Sequence, residues 1–233
     1  STCPLSFYDS GFIFDVPNMV ANTERTVSLQ AVRTSDTSQL CVPAFESGTR
    51  TVKFWSTYNN PNSGTRSVAV EGSNIAAASP GTDINLTFGP QARASFKVRY
   101  PDAGQMTLNA RYAPTSGDET DLVMTGSDAF IARPAGLCVY SDTANSDCTT
   151  GDASCSKFVV AGDPFRLRVG GVAWQADADA DLCSGNLNTP NYRQVGVAPA
   201  TAIALSHALA APSGGSTGNL GVTGLDIAAA DTG

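Results

Sequence analysis

Histidine and lysine are scarce in this sequence. Its 233 residues include one histidine, His207, and three lysines, Lys53, Lys97 and Lys157. With charged residues at 15% of the total, the chain cannot build the Glu- and Lys-rich helix faces of many cytosolic proteins. We therefore expect little helix. A surface covered by Ser, Thr, Asn, Gln, Gly and Ala is typical of extracellular proteins.

Long apolar runs are also missing. No stretch reaches the ~18 to 20 consecutive apolar residues of a membrane-spanning helix. The first ten residues, STCPLSFYDS, lack the basic and apolar segments of a signal peptide. The formal net charge is −7 at pH 7, so phosphate backbones and anionic lipids repel the protein on average. We expect no membrane span and no nucleic-acid partner, and either a mature chain or a piece of a longer one.

The signatures of common enzymes are absent from the sequence as well. It has no GxSxG nucleophile elbow, no phosphate-binding glycine loop with its lysine, and no HExxH zinc motif. His207 alternates with apolar residues in the segment Ile203–Leu209, which favours a position facing solvent or a polar pocket. A carboxylate pair that meets only in the fold leaves no sequence signal. We predict that the protein is not an enzyme and has no catalytic residue.

Six cysteines form an even set without a close CxxC pair. Because a single histidine is available to complete a zinc site, disulfides are the better interpretation, and they place the chain outside the cytosol. The four cysteines of the second half allow three connectivities, so the pairing there is a preference. The preferred pairs are Cys3 with Cys41, Cys148 with Cys155, and Cys138 with Cys183.

Apolar and polar residues alternate with a period of two through the first half of the chain. This pattern is typical of half-buried strands. Turn-rich runs such as Asn59–Gly64 and Pro101–Gly104 separate the segments, so they predict an antiparallel sandwich. The predicted strands are Thr26–Val32, Thr51–Trp55, Ser67–Val70, Asp83–Phe88, Ala94–Tyr100, Gln105–Tyr112 and Ser127–Arg133.

Strand patterning resumes after a polar, cysteine-containing stretch. The predicted fold class is all-β: two tandem Ig-like antiparallel β-sandwiches stabilised by disulfides, at residues 1–134 and 158–233, with 135–157 as a connecting segment. The predicted strands of the second half are Phe158–Val160, Pro164–Val169, Arg193–Val197 and Thr201–Leu205.

The second predicted sandwich has fewer strands than the first. Closing strands follow Phe88 in the first half, whereas the second half reaches Gly233 without a counterpart. Either the sequence is cut inside a domain, which we favour, or an open sheet edge accepts a strand from another chain. The second case describes a filament-forming subunit that assembles by strand complementation.

Carboxylates occupy alternate positions at Asp177, Asp179 and Asp181. A calcium loop begins in this way, because a hard cation needs several oxygen ligands. Leu182 stands where an EF-hand has its glycine, and the glutamate at the twelfth position is missing. The candidates are therefore a Ca²⁺ site, which would be the one cofactor of the chain, and a solvated acidic loop, which we favour.

Aromatic residues near a loop are candidates for carbohydrate stacking. Trp55 and Tyr58 precede the turn-rich segment 59–64, where a ring could reach a ligand. Strand aromatics belong to the core by default. A carbohydrate-binding module is thus an alternative function, with Trp55 and Tyr58 as its candidate ligand loop.

Several runs of the sequence carry a family resemblance: Phe14–Asn18, Gln30–Val32, Cys41–Phe45, Val52–Tyr58, Val98–Gly104, Leu108–Tyr112, Arg133–Cys138, Phe158–Phe165, Leu182–Cys183 and Thr189–Tyr192. They resemble the MshQ-like family, whose members are linked to the biogenesis of mannose-sensitive haemagglutinin type IV pili in Gram-negative bacteria. The resemblance extends from about Phe14 to Tyr192, and its motifs are turns and core positions. The strand–turn–strand pattern of Ala94–Tyr112 is also similar to the Ig-like repeats of invasin-type adhesins.

The resemblance supplies a context and no active site. It implies a fragment of a longer protein that is exported through the periplasm to the cell surface and associates with a pilus. The implied function is structural or adhesive and non-enzymatic. The implied partners are other copies of the chain, pilus or surface proteins, and surface glycans.

Overall fold

The structure, a computed structural model, describes residues 10–35, 40–120, 122–146, 154, 156–193, 202–209, 213–222 and 224–226. Its regular structure is almost entirely β. Helical turns in the described ranges are the two short 3₁₀ segments Pro90–Ala92 and Pro190–Arg193. Within these ranges, no helix is long and apolar enough to cross a membrane. The predicted all-β class is confirmed.

Two sheets form a sandwich between residues 10 and 133. The strands of the first sheet are β1 Ser10–Phe14, β3 Glu24–Thr34, β4 Cys41–Pro43, β6 Ala69–Val70, β7 Ser73–Asn74 and β9 Arg93–Arg99. Their order in the sheet is β1-β3-β9-β6-β7, and β4 also pairs with β3. All of these pairs are antiparallel.

The strands of the second sheet are β2 Met19–Val20, β5 Gly48–Asn60, β8 Thr82–Phe88, β10 Gly104–Tyr112 and β11 Met124–Arg133. Their order in the sheet is β2-β11-β10-β5-β8. Among these described strands, β2 and β11 pair in parallel and the other neighbours pair antiparallel.

The core of the sandwich follows from the alternation of side chains along each strand. In β9, exposed and buried residues alternate without a break, because successive Cβ atoms point to opposite faces of a sheet. Phe96 and Phe54 from the two sheets meet in this core, with ring centroids 5.1 Å apart. Both rings are almost fully buried. Each such side chain contributes about 1.5 to 3 kcal/mol through burial.

One edge of the sandwich is closed by a chain segment that moves from one sheet to the other. β1 pairs with β3 of the first sheet, and β2 pairs with β11 of the second. Between these strands the amide of Val16 donates to Oδ2 of Asp128 at 2.7 Å. Gly126 of β11 lies so close that a Cβ there would be 2.6 Å from the carbonyl oxygen of Phe12. A side chain at this position would separate the two sheets.

A charged cluster stabilises the loop that follows β10. Arg50 pairs with Glu119 at 2.6 Å, and the Tyr112 hydroxyl donates to the same carboxylate at 2.7 Å. The Arg50 guanidinium also lies 3.7 Å from the ring centre of Phe45. The arginine is thus held by both charge and an aromatic face.

Beyond Arg133, the described strands form two small sheets. β12, Gly136–Tyr140, pairs with β13, Arg168–Val172, and β14, Ala202–Ala204, pairs with β15, Gly224–Asp226. The second Ig-like sandwich of the sequence-based interpretation stays a prediction.

All seven strands predicted in the first half overlap observed strands. In the second half, Thr201–Leu205 overlaps β14, and Pro164–Val169 overlaps β13 only at its last two residues. The prediction of a strand at Phe158–Val160 is wrong, because this segment has no strand pairing. Arg193 lies in a 3₁₀ turn, and the rest of the predicted strand 193–197 lies outside the described residues.

The connecting segment predicted for residues 135–157 contains a strand. β12 lies within it and pairs with β13 over five residues. Its Leu137 and Val139 flank the buried Cys138. This strand was not predicted, because the segment was interpreted from its polar, cysteine-containing composition as a loop.

Candidate functional site

A buried polar network joins the sandwich to the segment that follows β13. Asp102 is fully buried in the turn between β9 and β10. Its Oδ1 accepts hydrogen bonds from the backbone amides of Ala103, at 2.8 Å, and Asn191, at 3.1 Å. Asn191 belongs to the 3₁₀ turn Pro190–Arg193. A carboxylate of the sandwich therefore holds a turn that lies 89 residues further along the chain.

Two tyrosines of the sandwich surround this carboxylate. The side-chain amide of Asn191 donates to the hydroxyl of Tyr100 at 3.3 Å. Tyr100 is fully buried, and its ring packs edge-on against Phe130. The hydroxyl of Tyr58 donates to the backbone oxygen of Arg66 at 2.6 Å. The network thus extends from the sandwich core to the second segment.

The network leaves two buried polar atoms without a partner. Oδ2 of Asp102 and Oγ1 of Thr189 have no hydrogen bond in the described structure. Burial raises the pKa of Asp102, while the backbone amides of Asn191 and Ala103 and the charge of Arg66 act in the opposite direction. Burial also raises the pKa of Tyr100, with the Asp102 charge contributing. Such a carboxylate is costly, so its environment must be specified closely.

Backbone hydrogen bonds make a second connection between the same regions. The amide of Trp174 donates to the carbonyl of Ala21 at 2.9 Å. The side chain of Asn22 donates to the carbonyl of Trp174, also at 2.9 Å. Asn22 has a positive φ of 71°, a conformation that asparagine tolerates better than other side chains. The turn after β2 therefore presents both a carbonyl and an amide to Trp174.

Close packing within the second segment positions the Asn191 turn. A Cβ at Gly171 of β13 would lie 2.6 Å from Oγ1 of Thr189 and 2.8 Å from Cγ of Tyr192. Only glycine allows the turn to approach the strand this closely. Tyr192 and Thr189 are both buried there.

The chemistry available in this network is hydrogen bonding and exclusion of water. Among the described side chains, no group of three or more His, Cys, Asp or Glu residues is arranged to hold a metal ion. Asp102 is enclosed by tyrosine, asparagine and backbone groups, so it faces no open cavity that would admit a substrate. The arrangement is that of a joint between two parts of the chain.

Comparison with protein families identifies the chain. Residues 1–127 match the model described as domain of unknown function DUF6701, first Ig-like domain. The match covers more than half of the sequence. The chain belongs to the DUF6701 family. Residues 133–233 of this DUF6701 chain match the second domain of the same family. The Ig-like character expected for the first half is therefore shown.

A search of curated proteins finds no match for this DUF6701 chain. Among solved structures, it is similar to the ASH/PapD-like domain of human CEP192, PapD-like domain 7. The sequence identity is 11%, the alignment covers 58% of this chain and 95% of that chain, and the TM-score is 0.25.

One predicted disulfide of the DUF6701 chain lies within the described residues and is present. Cys138 of β12 is bonded to Cys183, with Cα atoms 4.9 Å apart, as predicted. Cys41 carries a free, exposed thiol, and its bond to Cys3 stays a prediction. Cys41 lies on a short strand beside β3, and Cys3 lies outside the described residues. Cys148 and Cys155 also lie outside them.

The predicted calcium site at Asp177, Asp179 and Asp181 stays a prediction, and among the described residues these carboxylates are not grouped so that three could hold one metal ion. Each of these carboxylates accepts a hydrogen bond from a nearby group of its own loop. Asp177 accepts from the Trp174 indole at 3.2 Å, Asp179 from the amide of Asp181 at 3.1 Å, and Asp181 from the amide of Cys183 at 3.1 Å. Local hydrogen bonds of this kind are typical of aspartates in turns.

The predicted ligand loop separates into two different environments. Trp55 and Tyr58 are three residues apart on β5, so their side chains lie on opposite faces of the sheet. Tyr58 packs against the core, whereas Trp55 is half-buried on the outer face. The two rings do not form one stacking surface. His207 is exposed, and its Nε2 lies 2.5 Å from the carbonyl oxygen of Gly218.

Sequence reasoning missed Asp102 and Asn191 as a pair. Both lie in turn-forming runs, Pro101–Gly104 and Thr189–Tyr192, which predict turns and nothing about a partner. The one local signal was an aspartate two residues after the buried Tyr100, at the end of a predicted strand. A contact between residues 89 positions apart leaves no periodicity that a single sequence could reveal.

Proposed function

We propose that this chain is a non-enzymatic structural module of an exported surface protein. In this proposal the Ig-like sandwich and the second domain act as one rigid unit that displays or spaces an adhesive element. The observation that carries the proposal is the buried hydrogen bond from the Asn191 amide to Asp102. A freely hinged pair of domains would gain nothing from burying a carboxylate at the contact.

The energetics of the contact support a rigid unit. The Asp102 carboxylate accepts one hydrogen bond across the contact, from the Asn191 amide, and a hydrogen bond to a charged group contributes about 1.5 to 3 kcal/mol. The Trp174 contacts with Ala21 and Asn22 add two further hydrogen bonds at a second point. Two separate points of attachment oppose rotation about either one.

The proposed location outside the cytosol rests on the disulfide and on the family resemblance. Disulfides persist in oxidising compartments and are rare in the cytosol, and Cys138 is bonded to Cys183. The resemblance to the MshQ-like family extends this to association with a pilus or cell surface in a Gram-negative bacterium. The proposed partners are other copies of the chain, pilus or surface proteins, or surface glycans.

Small-angle scattering of the full chain tests the rigid unit. We expect a single narrow distribution of the radius of gyration for the wild type and a broader distribution for Asp102→Ala. Tyr100→Phe, which removes only a hydroxyl of the network, serves as a milder variant that keeps the ring in the core. Asp118→Ala, which changes an exposed carboxylate, is the matched control. A wild type as broad as Asp102→Ala would contradict the proposal.

Antibody labelling of intact cells that express the gene tests the location. We expect labelling without permeabilisation and a Cys138–Cys183 bond in the isolated protein. A chain confined to the cytosol with reduced thiols would exclude the proposed function. If electron micrographs show filaments that lengthen as the protein concentration rises, the alternative of assembly by strand complementation would be favoured instead.

A further inference from the structure

A cleft of about 680 Å³ lies beside the joint, on the outer side of the first sheet. The turn after β2, the end of β9 and the segment around Trp174 form its walls. The cleft is separate from the Asp102 network, since neither Asp102 nor Asn191 lines it. It therefore offers a surface that the structural function does not use.

Trp174 gives the cleft an aromatic wall in a fixed position. Its backbone amide and carbonyl are bonded to Ala21 and Asn22, and its indole N–H donates to Asp177. The residue is half-buried, so part of the indole is accessible. A ring held at three points loses little entropy when a ligand stacks on it.

Arginine and amide groups line the cleft near this ring. Arg99 donates one hydrogen bond to Oδ1 of Asn22 at 3.1 Å, which leaves other guanidinium donors for a ligand. Arg25, also on the cleft, is exposed and has no ion pair among the described residues. Lys97 is neutralised by Glu24 at 2.7 Å.

The charge of the lining differs in sign from that of the chain. Arg25, Lys97 and Arg99 carry three positive charges against two negative charges on Glu24 and Asp177. The net charge of the lining is therefore +1, whereas the net charge of the whole chain is −7. A local positive region in a negative protein favours an anionic ligand of low charge.

We propose that this cleft binds a pyranose that carries one carboxylate, as hexuronates and sialates do. The apolar face of the sugar ring stacks on Trp174, and the carboxylate pairs with Arg99, whose planar guanidinium suits carboxylate oxygens. Asn22 and Asp177 lie at the rim as partners for hydroxyl groups. The inference rests on the proposed function and names the ligand class of the adhesive surface.

Calorimetric and NMR titrations of the full chain test the site. The probes are methyl β-D-glucuronide and methyl α-sialoside, with methyl β-D-glucoside as the neutral control. We expect the acidic sugars to bind about tenfold more tightly than the glucoside, which is the effect of about 1.4 kcal/mol. The two acidic arms distinguish a uronate from a sialate as the preferred ligand.

Three variants separate the parts of the site. Trp174→Phe keeps the backbone hydrogen bonds of the joint. We expect it to lower the affinity for all three sugars by about three- to tenfold. Arg99→Gln should lower the affinity for the acidic sugars to about that for the glucoside, while the affinity for the glucoside stays unchanged. Trp55→Phe, outside the cleft, should change nothing.

Two results would contradict the proposed sugar-binding site. One is the absence of heat and of chemical-shift changes with either acidic sugar at about 10 mM, beyond the weak end of useful affinities. The other is binding that Trp174→Phe and Arg99→Gln both leave intact. In either case, surface labelling and a rigid joint would still support the proposed function. A cytosolic chain would reject the proposed function whatever the titrations give.

Discussion

The sandwich of residues 10–133 and the segment that follows it are stabilised by different interactions. In the sandwich, alternating strands from two sheets bury a continuous apolar core. In the described part of the later segment, the buried apolar residues are Cys138, Val172, Ala173 and Tyr192. A disulfide and the polar joint with the sandwich take the place of a large core there.

Exposed apolar residues show the same difference. Tyr140, Val160 and Phe165 of the later segment are 48%, 49% and 41% exposed. Phe165 packs edge-on against Phe158 but remains near the surface. A region with so little buried apolar area depends on covalent and polar constraints, as small secreted domains do. Substitutions in the two regions should therefore differ in size and in kind.

Removal of an aromatic core residue should give the largest effect. Phe130 is 1% exposed and packs against Tyr100. We expect Phe130→Ala to lower the free energy of unfolding by about 3 to 5 kcal/mol through lost burial and a cavity. Phe165→Ala, the matched change in the later segment, should cost less than about 1 kcal/mol. Calorimetry of both variants measures the contrast, and equal losses would refute it.

Loss of the disulfide should act mainly on the later segment. The bond between Cys138 and Cys183 spans 45 positions, which corresponds to about 4 kcal/mol in the chain-entropy model. We expect the double variant Cys138→Ser/Cys183→Ser to lose protection from hydrogen exchange in β12 and β13, while β9 and β10 stay protected. Cys41→Ser, which removes a free thiol, is the control. A uniform loss across both regions would show that the sandwich depends on the bond as well.

Loss of the ion pair between Arg50 and Glu119 should have an intermediate, pH-dependent effect on stability. Hydrogen bonds from Arg50 lower the pKa of Glu119 from its usual value of 4.5, with Tyr112 acting in the same direction. The stability from this carboxylate is therefore present above pH 4.5 and is lost as the pH falls through its lowered pKa. We expect Glu119→Gln to cost about 1 to 2 kcal/mol at pH 7.

Melting temperatures between pH 3 and pH 7 check this behaviour. The difference between wild type and Glu119→Gln should shrink as the solution becomes acidic. Glu46→Gln, the same change at an exposed carboxylate, should change the melting temperature little at any pH. A constant difference would mean that Glu119 acts through shape and not through charge.

The carboxylate of the joint should show the opposite pH dependence. Burial raises the pKa of Asp102 above its usual 3.8. Its contribution is therefore most favourable below that pH and declines as the pH rises through the raised pKa. Asp102→Asn keeps an oxygen that accepts from Asn191 and Ala103, and we expect it to remove this decline. Melting curves from pH 3 to pH 8, with Asp118→Asn as control, give the sign, and an unchanged slope would refute the assignment.

An exposed ion pair should give the smallest effect. Lys53 and Asp83 are 2.5 Å apart, with side chains 42% and 58% exposed. Lys53→Ala should cost less than about 1 kcal/mol, because water screens the pair. A double-mutant cycle with Asp83→Ala measures the coupling. A value as large as that of Arg50 with Glu119 would remove the distinction between buried and exposed pairs in the sandwich.

The success of the strand predictions also follows the difference between the two regions. Alternation located β8, β9 and β10 within a few residues, because each has one buried and one exposed face. Short strands such as β2 and β12 escaped detection, since two to five residues give too little periodicity. Phe158–Val160 has strand-like composition but no pairing in the structure, so composition alone misled there.

By itself, the sequence determined the all-β class and the Ig-like first half, because alternation and turn residues are local properties. For Cys138 and Cys183 it gave a preferred pairing among three connectivities, which the structure contains. Tertiary structure alone decided that Asp102 meets Asn191, that Trp174 borders a cleft with Arg99, and that Trp55 and Tyr58 face apart. These outcomes depend on how strands pair and which faces turn inward. Such long-range geometry is set by the packing of the whole chain, and no short stretch of sequence records it.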